Sequence, residues 1–364
     1  MPRTPRKVPP DLSVPTQHLE EEVPREFGGM RLDAYVRKRY PWRSREAFQA
    51  MIRRGRVLLN GETRKASTSV RWRDMVRIDF GEPEDLLQDP SKIPLHVLYE
   101  DETILVLDKQ PGVVVHPVGK SRFNTLTNAL HARYRDMQDP SKDVVPRLVH
   151  RLDKGTSGVL LVAKTDRARA DLGCQFEDRE VAKEYLALAR GAPRGEGGTV
   201  DLPIVPEEPA RPGKPRMVTV PHGKGPPART DWRVEERFRG YALLRLALHT
   251  GRTHQIRVHC AALGLPLVAD DQYGDGKALY PSTAGGAEAP EKGEAPLLDR
   301  VALHSARLEF RHPGTGKRMS IEAPLPADME RAVEALREAR EAGRPSAAPT
   351  TSRNRVPDPP GEIR

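Results

Sequence analysis

The chain has 364 residues, 37% of them hydrophobic, with 35 prolines, a net charge of +9 and a pI near 9.6. That length accommodates two domains and a sizeable core. No apolar run approaches the ~20 residues of a membrane span, and MPRTPRKVPPDLSVP at the start lacks the apolar centre of a signal peptide. Cys174 and Cys260 make neither a CxxC nor a zinc-ligand spacing, which excludes a disulfide framework. The expectation is a soluble cytoplasmic monomer with reduced, buried thiols and no metal, cofactor or membrane contact. Its basic balance calls for a polyanionic partner.

The charge is localised. Between Arg31 and Arg77 there are fourteen Lys/Arg against four Asp/Glu, a net +10, so the rest of the chain sums to −1. Residues 1–27 are Pro- and charge-rich without periodicity and are expected to be a disordered tail. The spacing then predicts a short helix through Leu32, Tyr35 and Val36, and a second one capped by Ser44 with Ala47, Phe48, Met51 and Ile52 on its buried face. Gly55 should end that helix. A hairpin follows, with Val57 to Leu59, an Asn60-Gly61 turn, and Val76 to Phe80 in a later strand. Arg37, Arg43, Arg45, Arg53, Arg54 and Arg56 can present a phosphate-binding face, although a charge run also fits a merely solvated helix. Residues 28–80, with "RLD", "SR" and "VLLNG", resemble the S-four type RNA-binding domain.

Residues 81–93 read as an acidic linker. In "ILVLDKQPGVVVHP", Ile104 to Leu107 is a predicted strand, Pro111-Gly112 a turn and Val113 to Val115 another strand. Lys109 and His116 could line a site or be a turn Lys and a strand-end His. Thr125 to Tyr134 has helical spacing.

The one stretch that looks chemical is Pro146–Thr165, "PRLVHRLDKGTSGVLLVAKT". Leu148-Val149 and Val159–Ala163 predict two buried strands around a polar turn. Asp153, between Arg151 and Lys154, should have a lowered pKa and be ionised, competent as a base or nucleophile. An ordinary loop Asp in a turn hydrogen bond or surface ion pair fits the spacing as well.

Downstream, Asp166 to Arg179 predicts a helix, and "VAKEYLALARG" a strand with Lys183 and Tyr185 on one face. Residues 192–230 should be largely irregular apart from Val200 to Ile204. Leu244, Leu246 and Leu248 alternate after a turn at Gly240. Thr253 can cap a helix running to about Leu263, with Gly264 as its stop and His254 and Arg257 three apart on one face. Residues 281–296 read as a flexible insertion, Pro313 to Gly316 as a hairpin turn, Asp328 to Arg340 as a helix, and 341–364 as a disordered tail.

The string "HRLDKGTSGVLLVAK" resembles the signature of RluA-type pseudouridine synthases. "ILVLDKQPG", "KEY" and "TGRTHQIRVH" resemble further motifs of that family in the family's order, over roughly residues 30–340. The resemblance implies an α+β pseudouridine synthase fold over 94–340, a mixed and largely antiparallel sheet with flanking helices, preceded by the small α/β RNA-binding domain. It implies that Asp153 is the catalytic Asp, that Tyr185 lines the site and stacks on an extruded base, and that a motif Arg pairs with Asp153. Arg257 is the preferred counterpart and Arg252 the other candidate. Arg151 would fill the gap left by the extruded nucleotide or fix the loop by an ion pair, and Lys183, Arg252 and His254 would contact RNA. The implied activity is isomerisation of uridine to pseudouridine in RNA, with large-subunit ribosomal RNA or its precursor as expected partner. Transfer RNA, or a non-catalytic role in ribosome assembly, are the alternatives.

Overall fold

The computed structural model describes residues 18–40, 45–80, 90–117, 124–135, 146–208 and 216–342. The first unit begins with β1 (His18–Glu22), α1 (Leu32–Arg39) and α2 (Arg45–Arg53), continues with β2 (Val57–Leu59) and β3 (Glu62–Thr63), and ends with β4 (Met75–Asp79). The sheet order is β1-β4-β2-β3. Leu32, Tyr35, Val36, Phe48, Met51 and Ile52 pack with Val57, Val76 and Ile78 into one core. The hairpin turn is as expected, with Asn60 at φ 54° and Gly61 at φ 80°, the left-handed pair that such a turn requires. Ser44 and Arg43 lie outside the described residues.

Part of the expected N-terminal tail is a strand. Residues 18–22 pair antiparallel with β4, and Glu21 accepts hydrogen bonds from Tyr35 and Arg39 at 2.7 and 3.0 Å. Three consecutive glutamates look like solvated chain, but here the backbone completes a sheet edge and Glu21 is paired.

The second sheet begins with β5 (His96–Glu100) and β6 (Ile104–Lys109). Helix α3 (Leu126–Arg135) follows, then β7 (Arg147–Leu148), β8 (Ser157–Ala163), α4 (Asp166–Glu177) and β9 (Ala182–Arg190). Val113 to Val115 do not form the expected strand. Gly112, at φ 84°, turns the chain so that its N–H meets the Lys154 carbonyl, leaving a single Val114–Thr125 bridge. The described residues between 192 and 230 are more ordered than expected, with β10 (Gly197–Asp201), β11 (Ile204–Pro206) and β12 (Met217–Thr219) before β13 (Arg229–Phe238).

The chain finishes with β14 (Tyr241–Leu248), α5 (Gln255–Ala262), α6 (Pro281–Ala284), β15 (Leu303–Arg311), β16 (Arg318–Glu322) and α7 (Ala327–Ala342). Among the described residues this sheet has ten strands, with a main path β10-β13-β14-β9-β15-β8-β6-β5, β16 beside β15 and β7 beside β8. Of these described strands only β15 and β8 pair in parallel, so the sheet is mixed and largely antiparallel.

The expected insertion at 281–296 is held in place. Ser282 donates to Glu294 from its N–H and hydroxyl at 2.8 and 2.5 Å, and Leu279 bridges to Leu298. Cys260 is buried as expected, but Cys174 is exposed.

Every residue of β8 is buried, from Ser157 to Ala163. A strand covered on both faces fixes the turn that precedes it, and that turn carries Asp153. Helix α3, Leu152, Tyr185, Leu244, Leu246 and Ile256 belong to the same core, so β8, β9, β14 and α5 are packed around one point.

Candidate active site

A cleft of about 470 Å³ opens at that point, lined by Arg151, Asp153, Lys183, Tyr185, Arg252, His254 and Arg257 among others. Seven of the residues singled out in the sequence thus converge from three segments. Arg37, Arg45, Arg53, Arg54 and Arg56 belong to the first unit and are not among the lining residues.

Asp153 sits in the turn between β7 and β8, its side chain 22% exposed. Its basic neighbours come from the start of α5: the guanidinium nitrogen Arg257 Nη1 lies 3.7 Å and the imidazole nitrogen His254 Nε2 3.9 Å from Asp153 Oδ2. Of the two candidate arginines, Arg257 is therefore the one beside the carboxylate. Arg252 is exposed, and its Nε donates to the Pro227 carbonyl at 3.1 Å.

Arg257 is aimed by Asp270, which sequence reasoning missed. Arg257 Nε and Nη2 each donate to the Asp270 carboxylate at 2.7 Å, a two-pronged pairing that fixes the guanidinium plane. Asp270 also accepts the N–H groups of Gln272 and Tyr273, both at 3.0 Å. Burial opposes both charges, yet the pairing outweighs it, raising the Arg257 pKa and lowering that of Asp270. The remaining nitrogen, Nη1, points at Asp153.

The start of α5 corrects an expectation. The residue capping it is His254, at φ 56°, rather than Thr253. Its left-handed backbone costs energy for a non-glycine residue. It also turns the ring so that Nδ1 meets the Tyr273 hydroxyl at 2.8 Å and Nε2 faces Asp153. Tyr273 already accepts from Met217 N–H at 2.9 Å, so its own proton is available to Nδ1. A neutral His254 then carries its N–H at Nε2, toward Asp153. Burial lowers the His254 pKa, against the pull of Asp153. Gln255 locks the preceding loop: Oε1 accepts from Thr250 Oγ1 and Arg252 N–H at 2.7 and 3.0 Å, and Nε2 donates to Arg229 O and Thr230 Oγ1.

Tyr185, from β9, is 8% exposed, opposite Leu246 on one side and Ser305 on the other. Burial pushes its phenol up to about 12, so the ring is neutral. Lys183, two residues earlier, also lines the cleft, as strand alternation predicts. Its pKa is lowered by burial and by Arg179.

Two side chains hold the Asp153 turn from behind. Lys109, 1% exposed, donates from Nζ to the carbonyls of Gln110, Lys154 and Thr156 at 2.9, 3.3 and 2.7 Å. That places it beneath the site as a turn-holding residue. Arg300 donates from Nη1 to the Gly155 carbonyl at 2.9 Å and from Nη2 to Ser157 Oγ at 3.3 Å. His150 is structural as well: Nε2 accepts the Leu161 N–H at 2.9 Å, the ring stacks on Phe176, and burial drives its pKa down to about 3. Arg151 is exposed, and its charge joins burial in lowering the His116 pKa.

In the first unit, Arg45 is not free to serve a phosphate. Its Nε, with Arg31 and Gln49, donates to the fully buried Asp33 carboxylate, whose pKa these bonds hold far down against the cost of burial. Arg53, Arg54 and Arg56 are exposed and Arg37 half-buried.

The family model described as RNA pseudouridylate synthase matches residues 103–262, and that of the S4 domain matches 30–76. The chain is 40% identical over 318 residues to the ribosomal large subunit pseudouridine synthase D of Xanthomonas campestris, covering 87% of this chain and 92% of that one. It is also 40% identical to the protein of the same name from Pseudomonas aeruginosa, over 88% of this chain and 96% of the other. Among solved structures, Human RNA Pseudouridylate Synthase Domain Containing 4 superposes with a TM-score of 0.51 at 26% identity, covering 66% of this chain and 93% of that one. With Asp153, Arg257 and Tyr185 gathered in one cleft inside the matched segment, the chain belongs to the RNA pseudouridylate synthase family.

Proposed function

We propose that this RNA pseudouridine synthase modifies uridines of large-subunit ribosomal RNA and that Asp153 is its catalytic residue. The observation that carries the assignment of roles is the convergence of Asp153 with Arg257 Nη1, 3.7 Å away, in the cleft that Tyr185 also lines. The ribosomal substrate is supported by the names of the relatives from Xanthomonas campestris and Pseudomonas aeruginosa, both matched over most of their length.

The reaction breaks the C1′–N1 bond of a uridine and joins C1′ to C5; C5 loses a proton and N1 gains one. A target in folded RNA must leave its stack, at a cost of a few kcal/mol that pocket contacts offset. Asp153 acts on the nucleotide at the mouth of the cleft. Arg257, held flat by Asp270, stabilises the carboxylate without forming a close hydrogen bond that would engage it. Tyr185 offers an uncharged aromatic face for the detached uracil, which has to be retained while it rotates. Exposed Arg151 is placed to occupy the gap left by the extruded nucleotide, and Arg252, His254 and Lys183 to meet neighbouring RNA groups. Arg37, Arg53, Arg54 and Arg56 supply phosphate contacts from the S4 domain, which set affinity and register but read no sequence.

The test is pseudouridine mapping of total RNA from cells with and without the gene. Loss of specific large-subunit sites is the expected result. Loss confined to transfer RNA would overturn the substrate, and no loss would overturn the reading altogether.

A further inference from the structure

The turn that leads into β4 reads Arg71-Trp72-Arg73-Asp74. Trp72 is 51% exposed, the most exposed large apolar side chain among the described residues. A lone exposed apolar residue is ordinary. Three features set this one apart.

Its mount is fixed. Asp74 accepts from Arg71 N–H at 2.6 Å and from Asn60 Nδ2 at 2.9 Å, and Asn60 Oδ1 accepts from Met75 N–H at 2.7 Å. From the other side, Arg73 N–H donates to Val23 O at 3.1 Å and Val23 N–H to Asp74 O at 2.8 Å. The turn is thus tied to both the β2–β3 hairpin tip and the segment after β1.

Second, two guanidinium groups lie against the ring. Arg73 Cζ is 4.5 Å and Arg25 Cζ 5.6 Å from its centroid. Arg73 also stands 3.9 Å from Glu22. Third, Arg73 has φ 70°, a left-handed backbone that glycine adopts without strain and arginine does not. An arginine in a glycine-type position, folded back over an exposed indole, puts a planar cation and an aromatic face at one spot.

That pair of groups recognises an unpaired nucleotide. The indole offers a stacking face that tolerates any base, and the guanidinium groups meet the adjoining phosphates. The +10 charge of residues 31–77 makes the partner polyanionic rather than an apolar protein surface. We propose that Trp72, flanked by Arg25 and Arg73, is a stacking platform for one unpaired base of the bound RNA, separate from the Asp153 cleft. It relies on the functional reading only for RNA as the partner, not for the reaction.

The experiment is equilibrium binding of the full chain to a large-subunit rRNA fragment and to a single-stranded uridine-rich oligonucleotide, for the wild type, Trp72→Ala and Trp72→Phe, with thermal melts of all three. Trp72→Ala should weaken oligonucleotide binding roughly 5- to 100-fold, as expected for removing one base–aromatic stack. Trp72→Phe should recover much of the loss, with melting temperatures close together. Equal affinities for wild type and Trp72→Ala, or a loss that tracks a lowered melting temperature and is not recovered by Phe, would show that the stack serves only the turn. Binding needs no turnover, so failure to form pseudouridine would count against the proposed function and leave this result standing.

Discussion

Arg257 grips Asp270 with two 2.7 Å hydrogen bonds while its third nitrogen stops 3.7 Å short of Asp153. The buried Asp270 therefore orients the arginine, and the arginine is left to serve Asp153 at the cleft. Asp270→Asn keeps the shape but removes the charge and one acceptor, leaving a buried guanidinium unbalanced. It should cost about 3–5 kcal/mol of stability. Misplacement of Nη1 should slow single-turnover pseudouridine formation on the order of 10²-fold. Urea unfolding and quench-flow on the same preparation measure both.

Protons should destabilise the protein well above the carboxylate range. Burial pushes His150 down to about 3 and His304 to about 4, whereas the unfolded chain takes up these protons near 6.5. Between those values the unfolded state binds more protons, so the contribution is fully present above about pH 6.5 and is lost as pH falls toward 4. Each group adds at most about 1.4 kcal/mol per pH unit to the slope. Urea midpoints at pH 7.5, 6 and 5 should fall in that order. His304→Asn, whose carbonyl can accept the Ser157 hydroxyl as Nδ1 does at 3.0 Å, should flatten the dependence.

Arg300 bridges the Asp153 turn to α7. Besides Gly155 and Ser157, it donates to Val301 O at 3.1 Å and pairs with Asp328 at 2.6 and 2.8 Å. Lysine keeps the charge but not the planar fork. Arg300→Lys should lower stability by about 1–3 kcal/mol through the acceptors it strands. A lower rate at saturating RNA should accompany it, with little change in RNA affinity; filter binding beside a single-turnover assay separates the two.

The S4 domain predicts a salt dependence. Arg53, Arg54 and Arg56 are exposed at the end of α2, on the unit that carries the basic excess. Replacing all three with Ala should make the slope of log K against log salt shallower by up to about 3, near one for each phosphate no longer neutralised. Binding isotherms from 50 to 300 mM salt would reveal an unaltered slope, which would remove these residues from the interface.

Much of this was legible in the chain. The 3.6-residue spacing of Leu32, Tyr35 and Val36, the Asn60-Gly61 turn and the apolar run before Lys164 correspond to α1, the first hairpin and β8. Asp153, Arg257 and Tyr185 could be found because motifs mark them. Asp270, Gln255 and Tyr273 could not, since each acts through a partner 5 to 26 residues away that only folding brings near. The left-handed turn at His254 has no composition signal, because glycine is the residue that announces such a backbone. β1 was hidden by its glutamates, and the pairing of Glu21 with Arg39 is tertiary.

The most direct test of the central claim compares purified wild-type protein with Asp153→Asn on large-subunit rRNA, measuring RNA binding and pseudouridine formation in a single turnover. Equal binding and no product from Asp153→Asn is the predicted result. Product formed by that variant at the wild-type rate would contradict a catalytic role for Asp153.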